Sequence, residues 1–281
     1  MKNAPTTPIL NIVTALHCEA KPLIEHFQLK KISEGNPPFP IFVNKEQTIH
    51  LIVTGVGKVK AAAGTTFLHC WTGSKPTSCF LNIGIAGSTQ FALGDCLLIH
   101  KIMENSTGRC WYPFVSLIKN KNQGQLITHD VPQQSYPAAG LVDMEGAAFF
   151  QTASHFVSQE HIQIMKIVSD NDTSSQNQLN EETVKQFVAK NVSSISDVAH
   201  YLLNLSEQEN NLNKDPDHLT DFQSTWHFTH SQTLQLKEYL RRWQKQITKI
   251  NVWDFCKQEK NSAAVINKIM QKLDEHANSL H

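Results

Sequence analysis

Apolar runs, glycine turns and amphipathic stretches alternate from Ile9 to about Leu205, and no other feature of the 281-residue chain limits its fold so strongly. Residues 9–16 (ILNIVTAL) are expected as a buried strand and 20–29 as a helix, with Pro22 tolerable in a first turn. IHLIVT at 49–54 forms a second strand, closed by Gly55 and Gly57. A helix from Ala61 to Trp71 follows, able to pack closely through Ala61, Ala62, Ala63 and Gly64. CFLNI (79–83), CLLIHKI (96–102) and the shorter QLIT (125–128) are further strands. A helix from Ala147 to Phe156, a buried strand IQIMKIV (162–168) and an amphipathic helix from about Glu182 to Leu205 complete the pattern. Such alternation gives an α/β fold with a mixed or mostly parallel central sheet flanked by helices.

The pattern changes after Leu205. Residues 206–220 (SEQENNLNKDPDHLT) are polar and include Pro216, which marks a linker between a domain at 1–205 and a small helical C-terminal extension at 221–281. Within the extension, Leu236, Leu240, Trp243 and Ile247 recur at steps that make one apolar helical face. Ala263, Ile266, Ile269 or Met270, and Leu273 do the same in a second helix, so a hairpin docked on the main domain or on a second subunit is expected. Arg241, Arg242, Lys245 and Lys249 cluster near Trp243 and are expected as a solvated face.

Formal net charge is zero, so bulk charge points to neither nucleic acid nor a membrane as partner. The six cysteines make no C-x-x-C pair and no zinc spacing; scattered thiols suit a reducing compartment, and a cytoplasmic location is expected. The stretch Ile9–Leu16 contains Asn11 and runs into Glu19 and Lys21, which fits a buried strand better than a signal peptide. No apolar run approaches the ~20 residues that span a bilayer. Gly84-Ile85-Ala86-Gly87 is not a dinucleotide fingerprint, and no cofactor or metal site is suggested.

Three carboxylates fall where ligands bind in such sheets. Glu19 and Asp170 follow strand ends, and Glu145 opens a helix. Each alone has an ordinary structural role available, as a solvated residue, a helix-terminus charge or a cap. Five segments occur together: A-x-x-x-E at 15–19, T-G-V-G-K at 54–58, N-x-G-x-A-G at 82–87, V-D-M-E-G-A-A at 142–148 and V-S-D at 168–170. In this content and order, from Ile9 to Leu205, the chain resembles the superfamily of purine nucleoside phosphorylases and methylthioadenosine/S-adenosylhomocysteine nucleosidases.

The resemblance implies the nucleoside phosphorylase-like fold, a small-molecule nucleoside substrate and a homo-oligomer. It implies that Glu145 accepts hydrogen bonds from the ribose hydroxyls with Met144 against the sugar. Asp170, supported by Ser169, protonates or hydrogen-bonds purine N7. By the same resemblance Glu19 would activate the attacking water, and Ala86 and Gly87 would line the floor under the sugar or the base. Chemistry agrees with these roles. Breaking an N-glycosidic bond builds positive charge on ribose, which carboxylates stabilise, and negative charge on the base, which a proton relieves. Asp170 must be protonated to serve as that acid, through burial or a proton from the base.

Phosphorolysis by the same fold would need arginine forks or dense backbone donors for phosphate. Arg109 is the only arginine before position 241 and lies in none of the five segments, though Lys58 could take an anion. Hydrolysis of a purine nucleoside of adenosine type, with or without a 5′-thio substituent, is therefore expected; phosphorolysis and a non-catalytic nucleoside-binding protein are the alternatives. The interval from Asp95 to Asp143 is shorter than in the bacterial nucleosidases, and it is where they carry the aromatic that sandwiches the base. Tyr136 and Phe114, then Trp111 and Tyr112, are the candidates, with His129 and Asp130 in the shortened loop.

Overall fold

Strand β1 (Leu10–Thr14) is buried along its whole length and lies between two parallel neighbours, β4 (Ile49–Val53) and β5 (Cys79–Gly87). Leu10, Ile12 and Val13 give it the apolar character that a strand covered on both faces requires, and the buried Asn11 and Thr14 side chains donate to Ser74 Oγ and Ile52 O. β5 is parallel to β10 (Ile162–Asp170), and β10 is antiparallel to β6 (Cys96–Glu104). β6 is parallel to β8 (Gln123–Thr128), which is parallel to β9 (Leu141–Asp143). β9 returns to β5 antiparallel, through Val142 opposite Gly87. Five strands therefore close on themselves, while β3 (Ile41–Val43) and β2 (Lys30–Lys31) extend the open edge beyond β4 and β7 (Cys110–Trp111) pairs with β6. The central sheet is mixed, as the alternation requires.

The computed structural model describes residues 7–116, 118–119, 121–133, 135–171 and 180–278. They fall into two units, Met1–Leu212 and Asn213–His281. In the first, α1 (His17–His26) and α4 (Glu181–Asn213) cover one face of the sheet, packing Ala20 and Leu23 with Val188, Ile195 and Leu202. α2 (Lys58–Thr72) and α3 (Gly146–Ala153) cover the other, through Leu68, Phe149 and Phe150.

Several boundaries differ from the sequence expectation. α1 opens three residues early, at His17, because the Glu19 carboxylate accepts the free N–H groups of Ala15 and Leu16 at its N-terminus; Pro22 then sits inside the helix. β5 continues through Gly84–Gly87, because β10 supplies ladder partners for those residues from Lys166 to Asp170. Ala63 is exposed, and α2 is buried through Ala61 and Gly64 instead.

The expected linker is the largest correction. Residues 206–213 continue α4 as helix. Their polarity serves specific contacts: Ser206 is fully buried, Glu209 Oε2 lies 3.0 Å from His161 Nε2, and Asn210 Oδ1 accepts from Thr77 Oγ1 at 2.7 Å. A polar run can thus be a helix held by polar partners as well as a solvated spacer.

The second unit is richer than a hairpin. Beside α6 (His230–Gln246) and α8 (Ser262–Asn278) it has α5 (Leu219–Thr225) and α7 (Val252–Cys256). Leu219, Phe222, Leu236, Leu240, Trp243 and Leu273 belong to a core made entirely within this unit. Val265 takes the core position expected of Ala263, which is exposed. A capping box starts α6, where Thr229 Oγ1 accepts from Gln232 N and the Gln232 side chain accepts from Thr229 N. Among the described residues no helix is long and apolar enough to cross a membrane.

Candidate active site

Gly87 is the meeting point of three strands. It ends β5, faces Val142 of β9 and faces Asp170 of β10. That junction brings the Met144-Glu145 segment and the Ser169-Asp170 segment, far apart in sequence, to one end of the sheet. β1 ends beside them, and α1 returns Glu19 to the same place.

Glu19 is 2% exposed. Its Oε2 accepts from Ala15 N at 3.0 Å and Leu16 N at 2.8 Å, and its Oε1 accepts from Ile85 N at 3.0 Å. Burial pushes the carboxyl above its ordinary value; these three N–H groups and the Lys166 ammonium oppose the shift. A buried anion held by fixed backbone donors keeps spare lone pairs for a water molecule.

Glu145 precedes α3, and its Oε1 accepts from Gly57 N at 2.7 Å. Gly57 caps α2 at φ 106°, a left-handed conformation that glycine adopts without strain and that a side chain would disfavour. Burial, and next the charge of Asp143, push the Glu145 carboxyl up to about 7. Asp143 is itself buried: its Oδ2 accepts from Lys166 Nζ and from Gly146 N, both at 2.8 Å, and its Oδ1 accepts from Thr128 Oγ1 at 2.6 Å. Thr128 Oγ1 in turn accepts from Ala147 N, so Asp143 and Thr128 together satisfy the first N–H groups of α3. Burial lowers the Lys166 ammonium, but Asp143, Glu145 and Glu19 outweigh it and hold the pKa above the usual lysine value.

Both oxygens of Asp170 accept hydroxyl hydrogen bonds, Oδ1 from Ser169 and Oδ2 from Tyr136. Its backbone carbonyl accepts from Ser88 N at 3.0 Å, which fixes the end of β10 against β5. Ala86, Gly87, Met144, Glu145, Ser169, Asp170 and Glu19 all line one cavity of about 270 Å³. The sequence expectation had named each of them, and the fold brings them to one wall. Leu16, Val56, Val131 and Pro132 give the cavity an apolar side. Among the described residues no cluster of three or more His, Cys, Asp or Glu is placed to hold a metal ion.

Three solved structures share this arrangement of strands and helices. The Arabidopsis thaliana 5′-methylthioadenosine nucleosidase in apo form is 20% identical, covers 72% of this chain and 99% of its own, and superposes with a TM-score of 0.60. The Neisseria meningitidis 5′-methylthioadenosine/S-adenosylhomocysteine nucleosidase, in complex with methylthio-immucillin-A, is 20% identical over 67% of this chain and 98% of its own, with a TM-score of 0.54. Helicobacter pylori futalosine hydrolase is 18% identical over 68% and 98%, with a TM-score of 0.55. The first unit has the nucleoside phosphorylase/nucleosidase fold. The sequence matches no family model and no curated protein.

Within the nucleoside phosphorylase/nucleosidase fold, two residues had escaped the sequence reading: Asp143, which lines the cavity, and Lys166, which does not. Lys166 and Asp143 form a fully buried ion pair behind Glu145. The signal was present: Lys166 is the one charged residue in the apolar run 162–168, and a lysine there needs a buried partner. Lys58, a candidate for an anion, is already paired with Glu104 at 2.7 Å and Asp130 at 2.5 Å. Of the aromatic candidates, Tyr136 lines the cavity, whereas Phe114, Trp111 and Tyr112 do not.

Proposed function

We propose that the first unit hydrolyses the N-glycosidic bond of a purine nucleoside. One observation carries the choice of water over phosphate: the backbone donors Ala15 N, Leu16 N and Ile85 N, a ready-made anion seat at the start of α1, are all taken by the carboxylate of Glu19. A phosphate would have to displace an anion of the protein's own. Lys58 is neutralised by two carboxylates and offers no substitute.

In this reading Glu145 and Met144 hold the ribose, with Glu145 accepting from the two hydroxyls. The C1′–N9 bond breaks, its electron pair leaves with the base, and Asp170 gives the base a proton at N7. Water adds to C1′ and passes a proton to Glu19, so the products are free base and free sugar. Burial strengthens Glu19 as a base. The buried carboxylates stabilise the positive charge that grows on the sugar, and they act strongly because each is itself withdrawn from water. The apolar side formed by Leu16, Val56, Val131 and Pro132 suits a thioether better than a charged group at the 5′ position. The names of the proteins that share the fold point to substrates of the same class.

The test is release of free base from methylthioadenosine, S-adenosylhomocysteine, adenosine, inosine and guanosine, each with and without phosphate. Release without phosphate, reduced about 10²–10⁴-fold in Glu19→Gln and in Asp170→Asn, is expected. Release only with phosphate would transfer the assignment to phosphorolysis, and binding without release would make the protein a nucleoside binder.

A further inference from the structure

Tyr136 fills the space over Gly87 and beside Asp170 in the cavity. Its ring lies directly on Gly87, so that a Cβ built there would overlap ring carbons and the hydroxyl oxygen. Its hydroxyl donates to Asp170 Oδ2, the oxygen left over once Ser169 has bonded Oδ1. Under the reading above, Asp170 is the partner of N7, and Gly87, beside it, lines the floor of the same cavity. A phenol ring on Gly87 with its hydroxyl on Asp170 reproduces both contacts: a flat aromatic face on the glycine and one hydrogen-bonding edge on the carboxylate.

We infer that Tyr136 is a built-in occupant of the base subsite, displaced only by a flat heteroaromatic ring that can bond Asp170. The exchange replaces ring by ring, so little apolar surface is newly exposed. While Tyr136 is in place its O–H and that of Ser169 both donate to Asp170, which fixes Asp170 as an acceptor; leaving frees Oδ2 for the base. The chain beyond Tyr136 is anchored: Thr89 Oγ1 donates to Pro137 O at 3.0 Å, Ser88 Oγ donates to Gly140 O at 2.7 Å, and Gly140 N donates to Gln90 Oε1 at 2.7 Å. Release therefore falls to the Tyr136 side chain and its immediate backbone. Tyr136 then selects ligands, because a sugar or an alkyl group alone cannot replace its bond to Asp170.

The inference rests on the purine reading, and the experiment separates the two. The full chain is labelled with 3-fluorotyrosine; its four tyrosines give four fluorine resonances, and the one lost in Tyr136→Phe is that of Tyr136. Adenine is titrated into the wild type, Tyr136→Ala and Tyr136→Phe, and its affinity is measured by calorimetry. The Tyr136 resonance is expected to move toward the position of an exposed tyrosine both on adding adenine and, without ligand, in Asp170→Ala. Adenine is expected to bind Tyr136→Ala about tenfold more tightly than wild type, with Tyr136→Phe between, as for a site open about a tenth of the time. Weaker binding by Tyr136→Ala would make Tyr136 a stacking wall and overturn the inference, as would a resonance that stays put in Asp170→Ala. A resonance that moves in Asp170→Ala while neither adenine nor methylthioadenosine binds any form would overturn the purine reading, and with it the displacement.

Discussion

At the carboxyl ends of β1, β5, β9 and β10 the chain buries Glu19, Asp143, Glu145, Lys166 and Asp170, each no more than 8% exposed. In the helical unit, Leu236, Leu240, Trp243, Val265, Ile269 and Leu273 fill the core, and among its described residues no polar or charged side chain is buried. Both regions are well packed, but they are stabilised differently. The helical core gains from apolar area removed from water, and each side chain contributes nearly alone. In the cleft, burial of each charge is unfavourable by itself and tolerable only because the others are there. Loss of one member therefore exposes the cost of the rest.

The sharpest way to break the contrast is Lys166→Met. It leaves Asp143 buried without its cation and is expected to cost about 3–5 kcal/mol of stability, measured by denaturant unfolding. Partial recovery in Lys166→Arg would show that charge and not volume is missing; an unaffected Lys166→Met would mean that Asp143 needs no cation. Leu240→Ala is the counterpart. It is expected to cost about 3 kcal/mol through a cavity, and calorimetry should place the loss in the helical unit with base release unchanged. A fall in activity would show that the two regions are energetically joined.

Glu145 sharpens the contrast through pH. Its carboxyl is pushed from 4.5 up to about 7. Between those values the folded chain holds a proton that the unfolded chain has released. This stabilising contribution is complete below about pH 4.5 and is lost as pH rises to about 7. Glu145→Gln keeps an acceptor for Gly57 and cannot ionise, so it is expected to be more stable than wild type by up to about 3 kcal/mol near pH 8 and equal near pH 4, checked by urea unfolding at both. A constant difference across pH would show that folding does not shift the Glu145 carboxyl. The smallest effect is expected in the helical unit, where Thr229→Ala removes the side-chain cap of α6 and should cost about 1 kcal/mol, read as a lower melting temperature of that unit alone.

The sequence showed the strands and helices where burial is continuous or has a clear period. β1, β4 and β10 and the faces of α6 and α8 were readable because apolar residues predominate in them. Length was less readable, because β5 runs on through glycines whose partners lie on β10. β9 went unrecognised: three residues long, it is held by β8 on one side and a single pairing to β5 on the other. The C-terminal part of α4 was hidden because its polar side chains meet partners from distant segments. At the site, the cavity-lining carboxylates Glu19, Glu145 and Asp170 stood out through their motifs. Asp143 and Lys166 did not, because an ion pair between strands that do not touch leaves no spacing in the sequence. Tyr136 could be named as an aromatic candidate, but its contact with Gly87 and Asp170 depends on how residues 137–140 are tied to 88–90.

The carboxylate that fills the anion seat at the start of α1 also bears on the direction of chemistry. Transfer of a sugar to phosphate keeps an activated anomeric bond and can run backward to rebuild a nucleoside. Transfer to water discards that bond into a solvent present in vast excess, and the reverse reaction is negligible. Under the proposed hydrolysis, seating Glu19 where a mineral anion would otherwise rest would give the chain a one-way step, indifferent to ambient phosphate and suited to removing a nucleoside for good.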